Sequence, residues 1–301
     1  MVKGDSMQIQ WYPGQMAKAK RLLRENIKQV DVVLEVLDAR IPASSRNPDI
    51  QEIMAGKPVI AVLTRSDMAD KTATSTWLKV LHQDYWGVLA VNAKNGQGVN
   101  RVPALLAQLP KKVKQRPVRL MVVGIPNVGK SSLINKLIGR SSAATGAKPG
   151  ITRGKQWLRI REGMEILDTP GLLWPKIATE KQAFGLAAVG AVKDEIVDPV
   201  LLAMELLSFF LEHAPGRLKE RYQGLEEQRE CRLMISAIGR LRGCLIPGGE
   251  VDMEAASRVL IKDFREGRLG RISLEKAEER DKDETKGFCN NDGDSDQPLP
   301  E

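Results

Sequence analysis

The sequence predicts an α/β fold with a mostly parallel sheet, followed by a small all-helical domain. Three observations carry this. Short apolar runs bounded by turn residues alternate with helical patterns over roughly the first 170 residues, as buried strands and crossover helices do. Strand-like runs then stop after about residue 175, and helical periodicity takes over. Finally, residues 275–301 hold ten Asp/Glu against four Lys/Arg and are rich in Gly, Asp and Asn, which reads as an acidic disordered tail. The expected division is 1–175, 176–274 and 275–301.

The expected strands are 30–38, 58–64, 87–93 and 118–124, each a near-continuous apolar run. Segments 155–161 and 164–168 are expected to pair as a hairpin around Glu162-Gly163. Helices are expected at about 15–29, 46–55, 71–83, 98–109 and 130–138. In the second part they are expected near 178–192, 199–213, 225–241 and 252–266. The most apolar run, 200–211, contains Glu205 and is too short to span a bilayer, so it reads as a buried helix.

Charge is unevenly distributed. The formal net charge is +8, but the tail carries −6, leaving +14 on residues 1–274. A body this basic favours a polyanionic partner. Only 13 residues are aromatic, which argues against single-strand binding by base stacking. Cys231, Cys244 and Cys289 form no pair at metal spacing and read as reduced thiols of a cytosolic protein. The N-terminal MVKGDSMQIQ lacks the apolar core of a signal peptide. Together these give a cytoplasmic expectation with no membrane partner.

GIPNVGKS at 124–131 fits G-x-x-x-x-G-K-[ST] between a predicted strand and a predicted helix. Gly124 and Gly129 let the backbone wrap so that its N–H groups face phosphate oxygens. Lys130 is placed to neutralise phosphate charge, and Ser131 offers a hydroxyl to Mg²⁺. Asn127, Val128, Gly129, Lys130, Ser131 and Ser132 are the expected nucleotide contacts here. DTPG at 168–171 leaves a predicted strand: Asp168 is a second Mg²⁺ contact, and the Gly171 N–H a sensor of the γ-phosphate. Thr152, in PGIT at 149–152, is the candidate switch threonine that closes on Mg²⁺.

This motif set resembles the translation-factor-related GTPases, which read guanine with N-K-x-D and then S-A-K downstream of the DTPG. Nothing after residue 171 fits those elements. They stand before the phosphate loop instead: LTRSD at 63–67 and VNAKNGQG at 91–98 each follow a predicted strand. That order is similar to the circularly permuted P-loop GTPases, and permutation is tolerated where the original termini lie close together. WYPGQMAKA near the N-terminus, DARIPASSRNP at 38–48 and AASRVLIKDFREGRLGRISLE at 255–275 further resemble the ribosome biogenesis GTPase A (YlqF) family.

The resemblance implies a GTP/GDP- and Mg²⁺-dependent hydrolase acting late in large-ribosomal-subunit assembly. It would bind the precursor particle in its GTP form and leave after hydrolysis, with its helical domain gripping ribosomal RNA. A monomer is expected. Lys18, Lys20, Arg21 and Arg24, and Arg265, Arg268 and Arg271, are the expected phosphate contacts to RNA.

The sequence departs from the family pattern at three places. N-K-x-D has become Thr64-Arg65-Ser66-Asp67. Asp67 keeps the carboxylate that accepts from guanine N1–H and N2–H, which adenine does not offer. Arg65 can still lay its stem or plane over the base, while Thr64 ties the loops with one hydroxyl in place of an amide. S-A-K has become Asn92-Ala93-Lys94; the Ala93 N–H, the expected donor to guanine O6, is indifferent to this change. After Gly171 stands Leu172, which cannot orient water. The family resemblance implies that a histidine in the N-terminal W-[FY]-P-G-H-M motif does this from elsewhere, and here Gln15 occupies that position. Its amide could orient water without base chemistry. It could equally be a polar helix-start residue.

Asn127 is, by the same resemblance, a possible K⁺ ligand. A nucleotide-gated RNA-binding protein with negligible hydrolysis is the alternative functional reading.

Overall fold

The structure is a computed structural model. It describes residues 13–47, 49–54, 56–109, 117–139, 156–161, 163–168, 177, 179–226 and 230–277. Six strands form one sheet: β1 Val32–Asp38, β2 Val59–Thr64, β3 Gly87–Ala90, β4 Val118–Val123, β5 Gln156–Arg161 and β6 Met164–Asp168. The order is β3-β2-β1-β4-β6-β5. All pairings are parallel except β5 with β6, which is the expected antiparallel hairpin. Gly163 turns that hairpin at φ +76°, a left-handed conformation that suits glycine.

Helices cover both faces. They are α1 Pro13–Ile27, α2 Pro42–Ser45, α3 Asp49–Met54, α4 Lys71–Leu81, α5 Arg101–Leu106 and α6 Lys130–Ile138. Strand alternation separates the two sides. Val32, Leu34 and Val36 of β1 face one apolar cluster with Leu106, Leu133 and Leu137. Val33 and Leu37 face the other, with Leu23, Ile53 and Trp77. Period-two burial of this kind on both faces is what a doubly covered parallel sheet requires.

The second part of the chain is helical: α7 Glu180–Ala188, α8 Pro199–His213, α9 Pro215–Arg221, α10 Cys231–Arg242 and α11 Met253–Arg265. α8 begins where Asp198 accepts from the Val200 and Leu201 N–H groups at 2.8 and 3.2 Å, with Pro199 in the first turn, a strong start signal. The expected helix near 225 starts only at Cys231. α9 lies between the expected helices, and Pro215 opens it. Phe210 of α8 and Phe264 of α11 meet edge to face at 6.3 Å, and both belong to the apolar cluster that reaches Leu34.

Residues 275–277, which the sequence assigns to the acidic tail, are placed against the body, and Glu275 is buried. Residues 278–301, with Cys289, lie outside the described residues, as do the basic segment 111–116 and Trp11 and Tyr12. Among the described residues, no helix is long and apolar enough to cross a membrane, and Cys231 and Cys244 are free thiols.

Candidate nucleotide site

Parallel strands present their carboxyl ends on one edge of the sheet, and ligands bind there. β4 ends at Val123 because Gly124 follows at φ +155°, and a Cβ on it would stand 2.5 Å from the Val36 carbonyl oxygen. Only glycine lets the chain pass that close to β1. The loop then turns through Asn127 at φ +56° and Gly129 at φ +99° into α6. Lys130 opens α6 and folds back, its Nζ donating to the Gly124 and Ile125 carbonyls at 2.9 and 2.6 Å. Burial lowers its ammonium pKa to about 8. Ser131 and Ser132 are exposed in the first helical turn.

The segments expected to read the base sit beside this loop. Thr64, at the end of β2, is fully buried. Its hydroxyl faces the Leu37 and Val128 carbonyls, and its single proton serves one at a time. The residue standing where asparagine would be thus keeps a tie to the phosphate loop. Arg65 follows in the left-handed region at φ +55°. Its Nη2 donates to the Asn127 carbonyl at 2.6 Å and its Nη1 reaches Asp38 at 3.3 Å. The guanidinium is therefore engaged in the loop junction, and the aliphatic stem is the part left to cover a base.

The second base-reading loop is pinned to the first, since Ser66 N–H donates to the Val91 carbonyl at 3.3 Å. Asn92 Oδ1 accepts from the Lys94 and Asn95 N–H groups at 2.9 and 3.2 Å. This turn ends β3 at Ala90, earlier than its apolar run suggests. Thr64, Arg65, Asp67, Asn92, Ala93, Lys94, Gly129 and Ser132 line one cleft of about 680 Å³. Residues separated by up to 68 positions in sequence thus converge.

Two buried charges that sequence reasoning missed organise this edge. Asp38 ends β1, and both its carboxylate oxygens are held by Arg40: Nε at 3.0 Å and Nη2 at 2.9 Å. Both side chains are 1% exposed. Burial alone would raise the Asp38 carboxyl, but the Arg40 and Arg65 charges outweigh it, and its pKa is lowered. The pair stands in the run DARIPASSRNP; opposite charges two residues apart at the end of an apolar strand were the available signal. Arg40 also donates to the Phe264 carbonyl at 3.3 Å and lies over the Phe264 ring at 5.1 Å.

The helical part touches the phosphate loop directly. Asn127 Nδ2 donates to the Gly190 carbonyl, just past α7, at 2.7 Å. Arg265, expected to meet RNA phosphate, is instead engaged internally. It donates to the Ala187 and Ala188 carbonyls at 2.9 and 3.1 Å and pairs with Asp194 at 2.8 Å, capping the negative end of α7. Arg268 pairs with Asp263 at 3.1 Å, while Arg271 is exposed. In α1, Arg21 pairs with Glu25 at 3.4 Å and Arg24 is exposed.

Of the expected catalytic and metal residues, Thr152 and Gly171 lie outside the described residues, and Gln15 and Asp168 are described for their backbone alone, on α1 and at the end of β6. The residues that are described fit a nucleotide phosphate with its Mg²⁺. A desolvated lysine held by the Gly124 and Ile125 carbonyls faces a loop in which glycine makes the close approach, and a serine hydroxyl stands in the next turn. Ser131 would hold the ion, which would supply positive charge against the phosphates.

The family described as "50S ribosome-binding GTPase" (MMR_HSR1) matches residues 119–235. A Bacillus licheniformis protein named ribosome biogenesis GTPase A is 44% identical over 282 residues, spanning 91% of this chain and 100% of its own length. The protein of that name from Thermotoga maritima is 32% identical over 272 residues, spanning 90% of this chain and 95% of its own. The crystal structure of GNP-bound YlqF from T. maritima is similar with a TM-score of 0.64 at 28% identity, covering 86% of this chain and 98% of that one. The chain belongs to the ribosome biogenesis GTPase A family: it is a circularly permuted P-loop GTPase.

Proposed function

We propose that this GTPase acts at a late step of large-ribosomal-subunit assembly, as a monomer that binds the precursor particle and its rRNA in the GTP form and leaves after hydrolysis. The observation that carries the guanine-nucleotide part is the convergence of Thr64, Arg65, Asp67 and Asn92–Lys94 with Gly129 and Ser132 on one cleft. The basic body and the names of its relatives support the ribosomal part. In this reading Asp67 selects guanine, the Ala93 N–H donates to O6, and Lys130 neutralises the β- and γ-phosphates. Thr152 and Gly171 respond to the γ-phosphate, and Ser131, Thr152 and Asp168 serve Mg²⁺.

Gln15 orients the attacking water from the N-terminal end of α1, supplying the group that Leu172 lacks. Asn127 Oδ1 is the candidate K⁺ ligand, because its Nδ2 is already held by Gly190. The deciding experiment is single-turnover GTP hydrolysis, with and without large subunits, on the wild type and Gln15→Ala. Subunits should stimulate the wild type, and the Gln15→Ala rate should drop on the order of a hundredfold. Equal rates for both proteins would end the role of Gln15. Equal rates in K⁺ and Na⁺ at one ionic strength would remove the K⁺ site.

A further inference from the structure

The chain leaving α11 does not run off into solvent. Residues 267–275 form a strap laid across the loops beside the base-reading end of the cleft. Ile272 N–H donates to the Met68 carbonyl at 2.8 Å, and the Asp70 N–H donates to Ser273 Oγ at 3.1 Å. Gly267, at φ +74°, lies so close to Met68 that a Cβ there would stand 2.9 Å from its Cγ. Met68 and its neighbour Asp67 both line the cleft. The loop from Thr64 to Asp70 is thus held at its inner end by Thr64 and Arg65 and at its outer end by the strap.

The same strap fastens the loop after β1. Leu274 N–H donates to the Arg40 carbonyl at 2.9 Å. The buried Glu275 carboxylate accepts from the Ala43 N–H at 2.7 Å, the Ser44 N–H at 3.1 Å and the Ser44 hydroxyl. Trp77 Nε1 on α4 donates to the Glu275 carbonyl at 3.3 Å. Two loops that flank the base-reading end are therefore stapled by one segment, and that segment continues directly from α11.

We propose that the strap is a positioning element for guanine recognition: it sets where Asp67 stands and couples the C-terminal helices to the base-reading loop. This rests on the reading of Asp67 as the guanine discriminator. Any ligand that shifts α11 and the strap would change guanine-nucleotide affinity, and the nucleotide would change that ligand's affinity by the same factor. The inner anchors Thr64 and Arg65 act on the phosphate loop and so affect every nucleotide. The outer anchor acts on Asp67 and so affects only bases that Asp67 distinguishes.

The test uses the full chain. Affinities for GTP and inosine triphosphate, which lacks the 2-amino group, are measured by competition titration. The variants are Ser273→Ala, Glu275→Ala and Ser273→Thr, each also in an Asp67→Ala background, with cooperative thermal unfolding as the check on folding. Ser273→Ala and Glu275→Ala should weaken GTP on the order of fivefold and inosine triphosphate less than about twofold. Ser273→Thr should restore wild-type selectivity, and no strap variant should alter the selectivity that remains without Asp67. Strap variants that weaken both nucleotides equally, or neither, while Asp67→Ala abolishes selectivity, would overturn the strap's role alone. If Asp67→Ala leaves selectivity intact, the reading of Asp67 falls and the proposal with it.

Discussion

Arg65 donates to the main-chain carbonyl of Asn127 at 2.6 Å, joining the base-reading loop to the phosphate loop by one hydrogen bond. Asp38, behind it at 3.3 Å, sets the guanidinium's position. The junction is charged and three-quarters shielded from solvent on the Arg65 side. Arg65→Ala should therefore weaken GTP and GDP alike, on the order of tenfold, since a charge-assisted bond and the cover over the base go together. Arg65→Lys, which reaches one partner at a time, should fall between the two. Isothermal titration of each variant with both nucleotides checks this; an unchanged Arg65→Ala affinity would remove the junction from nucleotide binding.

Asp38 and Arg40 form an ion pair in which both members are 1% exposed. Removing one partner leaves the other charge buried and uncompensated, which costs about 3–5 kcal/mol. Asp38→Ala should lower folding stability by about that amount. A combined Asp38→Leu, Arg40→Met variant should recover much of the loss, because it leaves neither member of the fully buried pair without its partner. Urea unfolding of the two variants discriminates; equal stability losses would mean that the pair acts through its further side-chain bonds, from Arg40 to the Phe264 carbonyl and from Arg65 to Asp38.

Burial holds the Lys130 ammonium at about 8, below its ordinary value of 10.5. Below pH 8 the amine carries the proton that phosphates need. Above it, nucleotide binding must take up a proton, so the GTP dissociation constant should rise by up to about tenfold per pH unit. Folding stability has its own sign: a depressed lysine opposes folding below pH 8, and that penalty fades as pH rises towards 10.5. Lys130→Arg stays protonated and should bind weakly with no slope between about pH 7.5 and 9.5. GTP titrations across that range test the contrast.

Glu35 is the polar exception on an otherwise apolar face of β1. Burial raises its carboxyl to about 7, against the Asn47 N–H at 3.0 Å and the Tyr85 hydroxyl at 2.8 Å, which favour the ionised form. The folded state thus holds a proton that the unfolded chain has lost, and the associated stability is full below pH 4.5 and disappears as pH rises through 7. Glu35→Gln should flatten the stability profile between about pH 5 and 7.5 while leaving the slope outside it unchanged. Denaturant midpoints at pH 5, 6 and 7.5 measure the difference.

The sequence by itself determined the strands, the hairpin at Gly163, the phosphate loop and the positions of the TRSD and NAK segments after their strands. Each of these is a local signal: an apolar run of strand length, a glycine at a forced turn, or a motif lying between a strand and a helix. It also placed those segments before the phosphate loop, so the permuted order was readable along the chain.

Only the tertiary structure decided which charges are used up inside the molecule. Arg265 and Arg268 look like RNA ligands in a basic stretch, yet Arg265 caps α7 and binds Asp194, 71 positions away. Likewise, Glu275 opens an acidic run but seats on Ser44 across 231 positions, and Asn127 meets Gly190 across 63. Hydrogen-bond partners of this kind are set by where the helices pack, through non-directional apolar burial that no local pattern encodes. The motifs could therefore be read in order from the chain, while the bonds that hold them at the right depth appear only once the C-terminal helices are in place.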